Sequence, residues 1–388
     1  HLRKDRSIYL SHNDYLPGID LNISPALSEE IIIDIAINDF EENYLPAANN
    51  TPAGPLARGL IYETPAKTVL GILEYQGRPL LAYKASLNLE APRTMMDYYI
   101  DANDGTILRK SSLLRHASGK GKVFNPNPVN SLNDLTLRNR SDAAEAVPAE
   151  AYSTVALRGL RHSNGTYYLI GPYVRVTDKI QKPFYYSSST GYVTSKNGNF
   201  YFSRSSPKFE HVMVYYHIDA NQRYILSLGF TDVFNRKIRV DPHGAAGADN
   251  SYYIPSPSGT GYIVFGEGGV DDAEDADIIL HEYGHAITDN QAHGGYMDDF
   301  CNTERSAMDE GFADYWAASS LYSISLLNGF DPACISEWDN VPYCLRRVDG
   351  TKHYPEDMVE ECHDDGEIWS AFLWDIFNSA DRTVTDTI

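Results

Sequence analysis

Two histidines four residues apart, His281 and His285, flank Glu282 in the run His281-Glu-Tyr-Gly-His285. The surrounding stretch, Asp277 to Asp289, has helical periodicity. On a helix, side chains at i and i+4 share one face, so both imidazoles can point at one metal ion. Glu282 sits one step round the helix, which suits a base acting on water beside the metal rather than a ligand. Neutral imidazole is a good ligand for Zn²⁺, and hydrolytic zinc takes a third protein ligand and keeps one position open. The third ligand is sought in a second helical segment, Ser306-Ala-Met-Asp-Glu310-Gly-Phe-Ala-Asp314. There Glu310 and Asp314 are again four apart in an otherwise apolar helix. An acid in a buried helix needs a partner. Glu310 is assigned to the metal, and Asp314 to the far nitrogen of a ligand histidine, His281, whose tautomer it would fix.

Composition narrows the function classes. The chain has 388 residues, 43% of them hydrophobic, enough for two or three domains with sizeable cores. A formal charge of −21 excludes nucleic acid and anionic membrane surfaces as natural partners. No apolar run is long enough to span a bilayer. The start, His1-Leu-Arg-Lys-Asp-Arg, has no signal core, so a secretory signal is expected to be removed or never present. The four cysteines, Cys301, Cys334, Cys344 and Cys362, lie close together in sequence and form no C-x-x-C pair. They predict two disulfides and an oxidising compartment, with the pairing left open among three connectivities. Sequons begin at Asn22, Asn49, Asn139 and Asn164.

Stepping outward, residues 1–116 form one predicted unit. A helix over Leu27–Ala36, with a Ser cap and acids in its first turn, precedes strands starting at Leu60, Thr68, Pro79 and Met95, with turns at Gln76-Gly and Asn103-Asp-Gly. His116-Ala-Ser-Gly-Lys-Gly-Lys122 reads as an exposed basic linker open to proteolysis. Residues 117–270 are expected to be a strand-rich lobe containing one helix near 210–230, and 271–388 a helical lobe with helices at about 272–292, 304–326 and 365–379. The fold class is α+β. The acidic run Asp271-Asp-Ala-Glu-Asp-Ala-Asp277 reads as a helix start favoured by charge. Its sharper reading is a Ca²⁺ site that uses Asp277 with distant acids.

These segments resemble the thermolysin-like zinc metalloproteases, most closely the fungalysin branch. HEYGH followed by Met308-Asp-Glu-Gly-Phe-Ala-Asp314 is similar to that family's zinc pair and glutamate ligand, and the longer gap from His285 to Glu310 fits the fungalysin side. Phe209-Glu-His-Val-Met-Val-Tyr-Tyr-His-Ile-Asp resembles the first catalytic-domain helix. His363-Asp-Asp-Gly-Glu-Ile-Trp369 resembles the family's His-x-x-Gly-Glu-x-Trp segment. The resemblance implies a thermolysin-like two-lobe catalytic region with one Zn²⁺, preceded by a propeptide module over 1–116. It further implies oxyanion stabilisation by His363 and by the Tyr296 hydroxyl. Substrate binding would fall to the edge segment Asn250–Tyr253 and to Arg346 or Arg347, with Arg346 preferred. The family continues with C-terminal helices, so a chain ending soon after His363 is expected to lack part of the catalytic domain.

The resulting expectation is a secreted zinc endopeptidase held latent by its own propeptide, with peptide or protein substrates and an activating cut between Arg115 and Lys122. Two rivals stand beside it. An aminopeptidase of the same clan would need a Gly-x-Met-Glu-Asn motif, which the sequence lacks. A non-catalytic, zinc-stabilised binding or adhesion protein would have no use for Glu282.

Overall fold

The computed structural model describes residues 21–44, 61–91, 94–112, 116–178, 191–230, 232–256, 261–292, 301–339, 344–380 and 382–387. The chain divides into two compact units, His1–Arg115 and His116–Ile388.

In the first unit, helix α1 (Glu29–Tyr44) places Ile32, Ala36 and Phe40 at four-residue intervals on one face. That face packs with Leu81, Ala85, Leu87, Tyr98 and Ile100 in a single apolar cluster. The Ser28 hydroxyl accepts from the Ile31 amide at the helix start. The opposing residues come from an antiparallel meander, β1 (Ile61–Tyr75), β2 (Arg78–Ala91), β3 (Thr94–Asp101) and β4 (Ile107–Ser112), in sequential order. Gln76 and Gly77 both adopt positive φ in the β1–β2 turn, as a tight hairpin demands. The sequence predicts two strands where the structure has one long β1. Its pairing shifts register between Thr64 and Lys67, and that irregularity accommodates Pro65, which cannot donate to the ladder.

Among the described residues, the second unit holds two larger sheets, a two-stranded ladder and a helical region. One sheet runs β10 (Asn199–Phe200), β5 (His116–Phe124), β6 (Tyr152–Ser163), β7 (Thr166–Tyr168), β9 (Thr194–Ser195). The other runs β12 (Tyr252–Ile254), β13 (Tyr262–Val264), β11 (Ile238–Asp241), β8 (Val174–Val176), so β12 is an edge strand, antiparallel to β13. Helix α3 (Phe209–Ser227) lies among them, with Phe209, Val212, Met213, Tyr215 and Ile218 fully buried in a core shared with Val123, Phe124, Leu157, Val174 and Ile238. A short helix, α2 (Pro128–Leu132), follows β5 and is capped by the Asn127 side chain.

Residues 116–122 are a correction to the sequence reading. They are not a linker but most of β5, paired with β6 from His116 to Phe124 and with β10 on the other side. The glycines serve close packing here: a Cβ on Gly119 would lie 2.3 Å from the Gly198 carbonyl oxygen. Gly and Lys suggest an exposed flexible segment only when no neighbouring backbone comes that near.

The helical region follows. α4 (Ala276–Gln291) is capped by the Asp275 side chain, and the residues just ahead of it form a single 3₁₀ turn. α5 (Glu304–Asn328) opens with a Thr303/Ser306 capping box and closes on Gly329 at φ 73°. β14 (Cys334–Ile335) pairs with β15 (Arg346–Arg347). α6 (Cys362–Ser379), capped by Glu361, and a short α7 (Arg382–Thr385) end the described chain. Leu280, Tyr315, Ala318, Leu321, Trp374 and Phe377 form the apolar cluster of this region. Two glycines set the helix spacing. A Cβ on Gly284 would come within 2.8 Å of Ala313 Cα, and one on Gly311 within 2.4 Å of the Gly366 carbonyl oxygen. Larger side chains there would push α4, α5 and α6 apart.

Candidate metal centre and active site

The close approach of α4 to α5 brings the site together. His281 Nε2 and His285 Nε2 lie 3.1 Å apart. Glu310 Oε2 is 3.2 Å from His281 Nε2, and Glu310 Oε1 is 3.7 Å from His285 Nε2. The three residues form a group whose ligand atoms could hold one metal ion. Each imidazole turns its other nitrogen outward to a buried acid. His281 Nδ1 meets Asp314 Oδ1 at 2.8 Å, the pairing that the sequence anticipates. His285 Nδ1 meets Asp309 Oδ2 at 2.8 Å, and Asp309 also accepts from the Thr288 hydroxyl. An acceptor at Nδ1 keeps the proton there and leaves the Nε2 lone pair facing inward.

Asp309 was not singled out from the sequence. Helical spacing did not flag it, because Asp309 sits one residue before Glu310, about 100° round α5 from it. Arg346 was read as a substrate-site residue. It forms a two-pronged pair with Asp314, Nε to Oδ2 at 2.6 Å and the second prong to Oδ1 at 2.8 Å, while lining the cavity. β14–β15 pairing and the Cys334–Cys344 disulfide hold it in place.

The electrostatics follow from burial and these pairs. Burial disfavours charge on His281, but Asp314 and Glu310 outweigh that and raise it to about 9. His285 is likewise raised to about 10 against its burial, by Asp309 and Glu310. Burial works against the Glu310 carboxylate too, yet the imidazoles beside it hold it down at about 2. Burial pushes Glu282 upward. Its Oε2 is buried without a hydrogen-bond partner, as is Glu310 Oε2.

His281, Glu282, His285, Asp309, Glu310 and Arg346 line one cavity of about 720 Å³. His363, at the start of α6, lines it as well. Its Nε2 is 3.6 Å from Glu310 Oε1, and Glu361 Oε1 holds its Nδ1 at 2.8 Å. The Cys301–Cys362 disulfide fastens the segment ahead of α5 to this end of α6. Asn250 and residues of the edge strand β12 line the cavity too. The Tyr253 side chain points away from the cavity into the core, where its hydroxyl donates to Asp289 Oδ2 at 2.6 Å, so only its backbone can serve a substrate there. Tyr296 lies outside the described residues.

A second acidic group underlies α4. Asp275, Asp277 and Glu337 are all buried, and the Asn127 amide reaches Asp275 Oδ1, Asp277 Oδ2 and Glu337 Oε1 at 3.1, 3.4 and 2.9 Å. Burial and mutual repulsion raise Asp277 well above the usual carboxylate range. Asp275 Oδ2 and Glu337 Oε2 have no hydrogen-bond partner.

Residues 267–380 match the fungalysin metallopeptidase (M36) family, a stretch that contains α4, α5 and α6 with every group of the centre above except Asn250 and β12. No curated protein matches the chain. By this match the chain is fungalysin-like, a zinc metalloendopeptidase whose substrates are peptides or proteins. No helix among the described residues is long and apolar enough to cross a membrane.

Removing an outer acceptor should weaken the inner ligand. Asp309→Ala is expected to lower zinc affinity about 10–100-fold, read by competition with a chromogenic chelator. Unchanged affinity would show that His285 is not a ligand oriented by Asp309.

Proposed function

We propose that the chain is a secreted endopeptidase zymogen whose single catalytic Zn²⁺ is held by His281, His285 and Glu310. The observation that carries this is the convergence of two inward imidazole nitrogens with the Glu310 carboxylate, next to Glu282, whose Oε2 is buried without a hydrogen-bond partner. This donor set of two nitrogens and one oxygen fits zinc. Both outer nitrogens are already engaged by acids, which selects the tautomer that a metal needs. Zinc bound there supplies Lewis acidity at the scissile carbonyl.

The remaining steps belong to this chain's own groups. Peptide lies extended along β12, adding a strand to the sheet edge that β12 forms among the described residues. The Asn250 side chain and the backbone of Tyr253 hold it in register. Glu282 Oε2 takes a proton from the attacking water and delivers it to the leaving amine. With Glu361 accepting from Nδ1, His363 acts protonated on both nitrogens, so that its Nε2–H donates to the developing oxyanion, and by the fungalysin resemblance the Tyr296 hydroxyl joins it. Arg346 keeps Asp314 charged and oriented beside His281 and presents its remaining donors at the rim of the substrate cleft. The two disulfides support an extracellular destination. A non-catalytic binding protein gives Glu282 no task, and an aminopeptidase would need a grip on the substrate amine that the sequence lacks.

Two further parts of the reading extend beyond the centre. The first unit, with its own helix-and-meander core, is the propeptide that keeps the enzyme latent, and activation cuts the chain ahead of β5. N-terminal sequencing of the active form is expected to find no start between Ser118 and Lys122. Full activity in a chain still beginning at His1 would remove the inhibitory role. The second part is structural: the Asp275, Asp277 and Glu337 cluster takes a Ca²⁺ ion, whose oxygen preference matches it. Calcium is expected to raise the melting temperature by several degrees and to lose that effect in Asp277→Asn; an equal rise in both would place calcium elsewhere.

Glu282→Gln tests the mechanism. Zinc content should be unchanged and the turnover of an internally quenched peptide should fall by about 10²–10⁴-fold. A variant that hydrolyses at the parent rate would refute Glu282 as the base.

A further inference from the structure

Away from the cleft, where β8 and β11 end against α3, a second pair of histidines meets an acid. His211 lies in the first turn of α3, His243 just beyond β11, and Asp178 just beyond β8; all three are buried. Their ligand atoms fall within one metal-sized group.

The orientation of the rings gives this cluster its meaning. His211 Nδ1 faces the Pro207 carbonyl oxygen at 2.9 Å. A carbonyl only accepts, so Nδ1 carries a proton. His211 Nε2 is then left 2.7 Å from Asp178 Oδ1, without the geometry of a hydrogen bond. His243 turns Nδ1 to the same Asp178 oxygen at 3.2 Å and faces Glu210 Oε2 with Nε2 at 3.7 Å. Glu210 is buried and its Oε2 lacks a hydrogen-bond partner. His211 therefore has an acceptor on its outer side and His243 a carboxylate facing it from 3.7 Å, beyond hydrogen-bond reach, while both inner nitrogens converge on Asp178. The cleft site is built the same way, with Asp314 and Asp309 as outer acceptors and Glu310 within.

Charge points the same way. Glu210 stands in a further group with Asp271 and Glu274. Together with Asp178 these are four carboxylates. Arg204, whose guanidinium pairs with Glu274 at 2.8 Å, offsets part of that charge. Neutral imidazoles would leave an uncompensated negative charge in a dry interior, which is costly. Two imidazolium rings would reduce it, and a divalent cation between the inner atoms would reduce it as far while using both lone pairs.

We propose that Asp178, His211 and His243 bind a second, structural divalent metal ion of the first transition row, Zn²⁺ in kind, with Glu210 and the Pro207 carbonyl orienting the two rings. Nitrogen and carboxylate donors in a closed setting suit such an ion better than calcium. The ion would tie the start of α3 to the ends of β8 and β11, fixing the sheet whose edge β12 faces the cleft.

Elemental analysis of the whole chain tests this. The protein is purified without added metal, dialysed against metal-free buffer and measured for first-row divalent metals. Two equivalents per chain are expected. The His281→Ala/His285→Ala variant should keep one, and His211→Gln/His243→Gln should also keep one. Should the latter fail to fold, the former decides alone. One equivalent in the parent that falls to none in the His281/His285 variant overturns the second site. One equivalent that survives in that variant upholds the second site and counts instead against the metal centre in the cleft.

Discussion

The interaction on which the cleft depends is the pair of carboxylate–imidazole contacts between α4 and α5. Asp314 and Asp309 each take the outer nitrogen of one histidine, and both inner nitrogens are thereby aimed at Glu310. Neither contact could form if the helices stood at an ordinary separation. Gly284 lets α4 lie against Ala313, and Gly311 lets α5 lie against Gly366 of α6. The glycine within HEYGH is thus part of the site although it touches no ligand. α6 completes the arrangement by carrying His363 to the side of Glu310, stapled there by Cys301–Cys362.

Burial makes these pairings consequential. His281, His285, Glu310 and Asp314 are ionisable groups withdrawn from water, and beside each a group of opposite sign offsets the cost that burial puts on its charged form. Arg346 extends the chain of dependence, since it lies on Asp314 and is itself carried by the short β14–β15 ladder. Removing one partner leaves an uncompensated charge in the interior, a loss of about 3–5 kcal/mol in comparable settings. At Glu282 burial prevails over the nearby imidazoles and pushes the group upward. Its second oxygen has no partner, which suits a group that must exchange a proton with substrate rather than support the fold.

What the sequence made legible was local. The four-residue spacing of His281 and His285, the matching spacing of Glu310 and Asp314, and the apolar face of α1 all follow from a period of 3.6 residues, and the structure contains helices at these places. The break at Gln76-Gly77 was legible as well, because glycine readily takes the positive φ found at Gly77. Non-local packing was not legible. Gly119 and Gly121 looked like flexibility, and only the neighbouring backbone of β10 reveals them as part of a paired strand. Asp178, His211 and His243 are far apart in sequence, and no periodicity relates a residue after β8 to one in the first turn of α3. The disulfide pairings were equally open until the folded chain brought Cys301 to Cys362 and Cys334 to Cys344.

The central claim is that His281, His285 and Glu310 enclose one zinc ion. Anomalous diffraction from crystals of the zinc-loaded chain, recorded on both sides of the zinc absorption edge, tests it most directly. The account predicts an anomalous peak at about 2.0–2.2 Å from His281 Nε2, His285 Nε2 and a Glu310 oxygen, with Glu282 close by but not coordinating. A cleft with no peak there, or a peak liganded by Glu282 in place of Glu310, would contradict it.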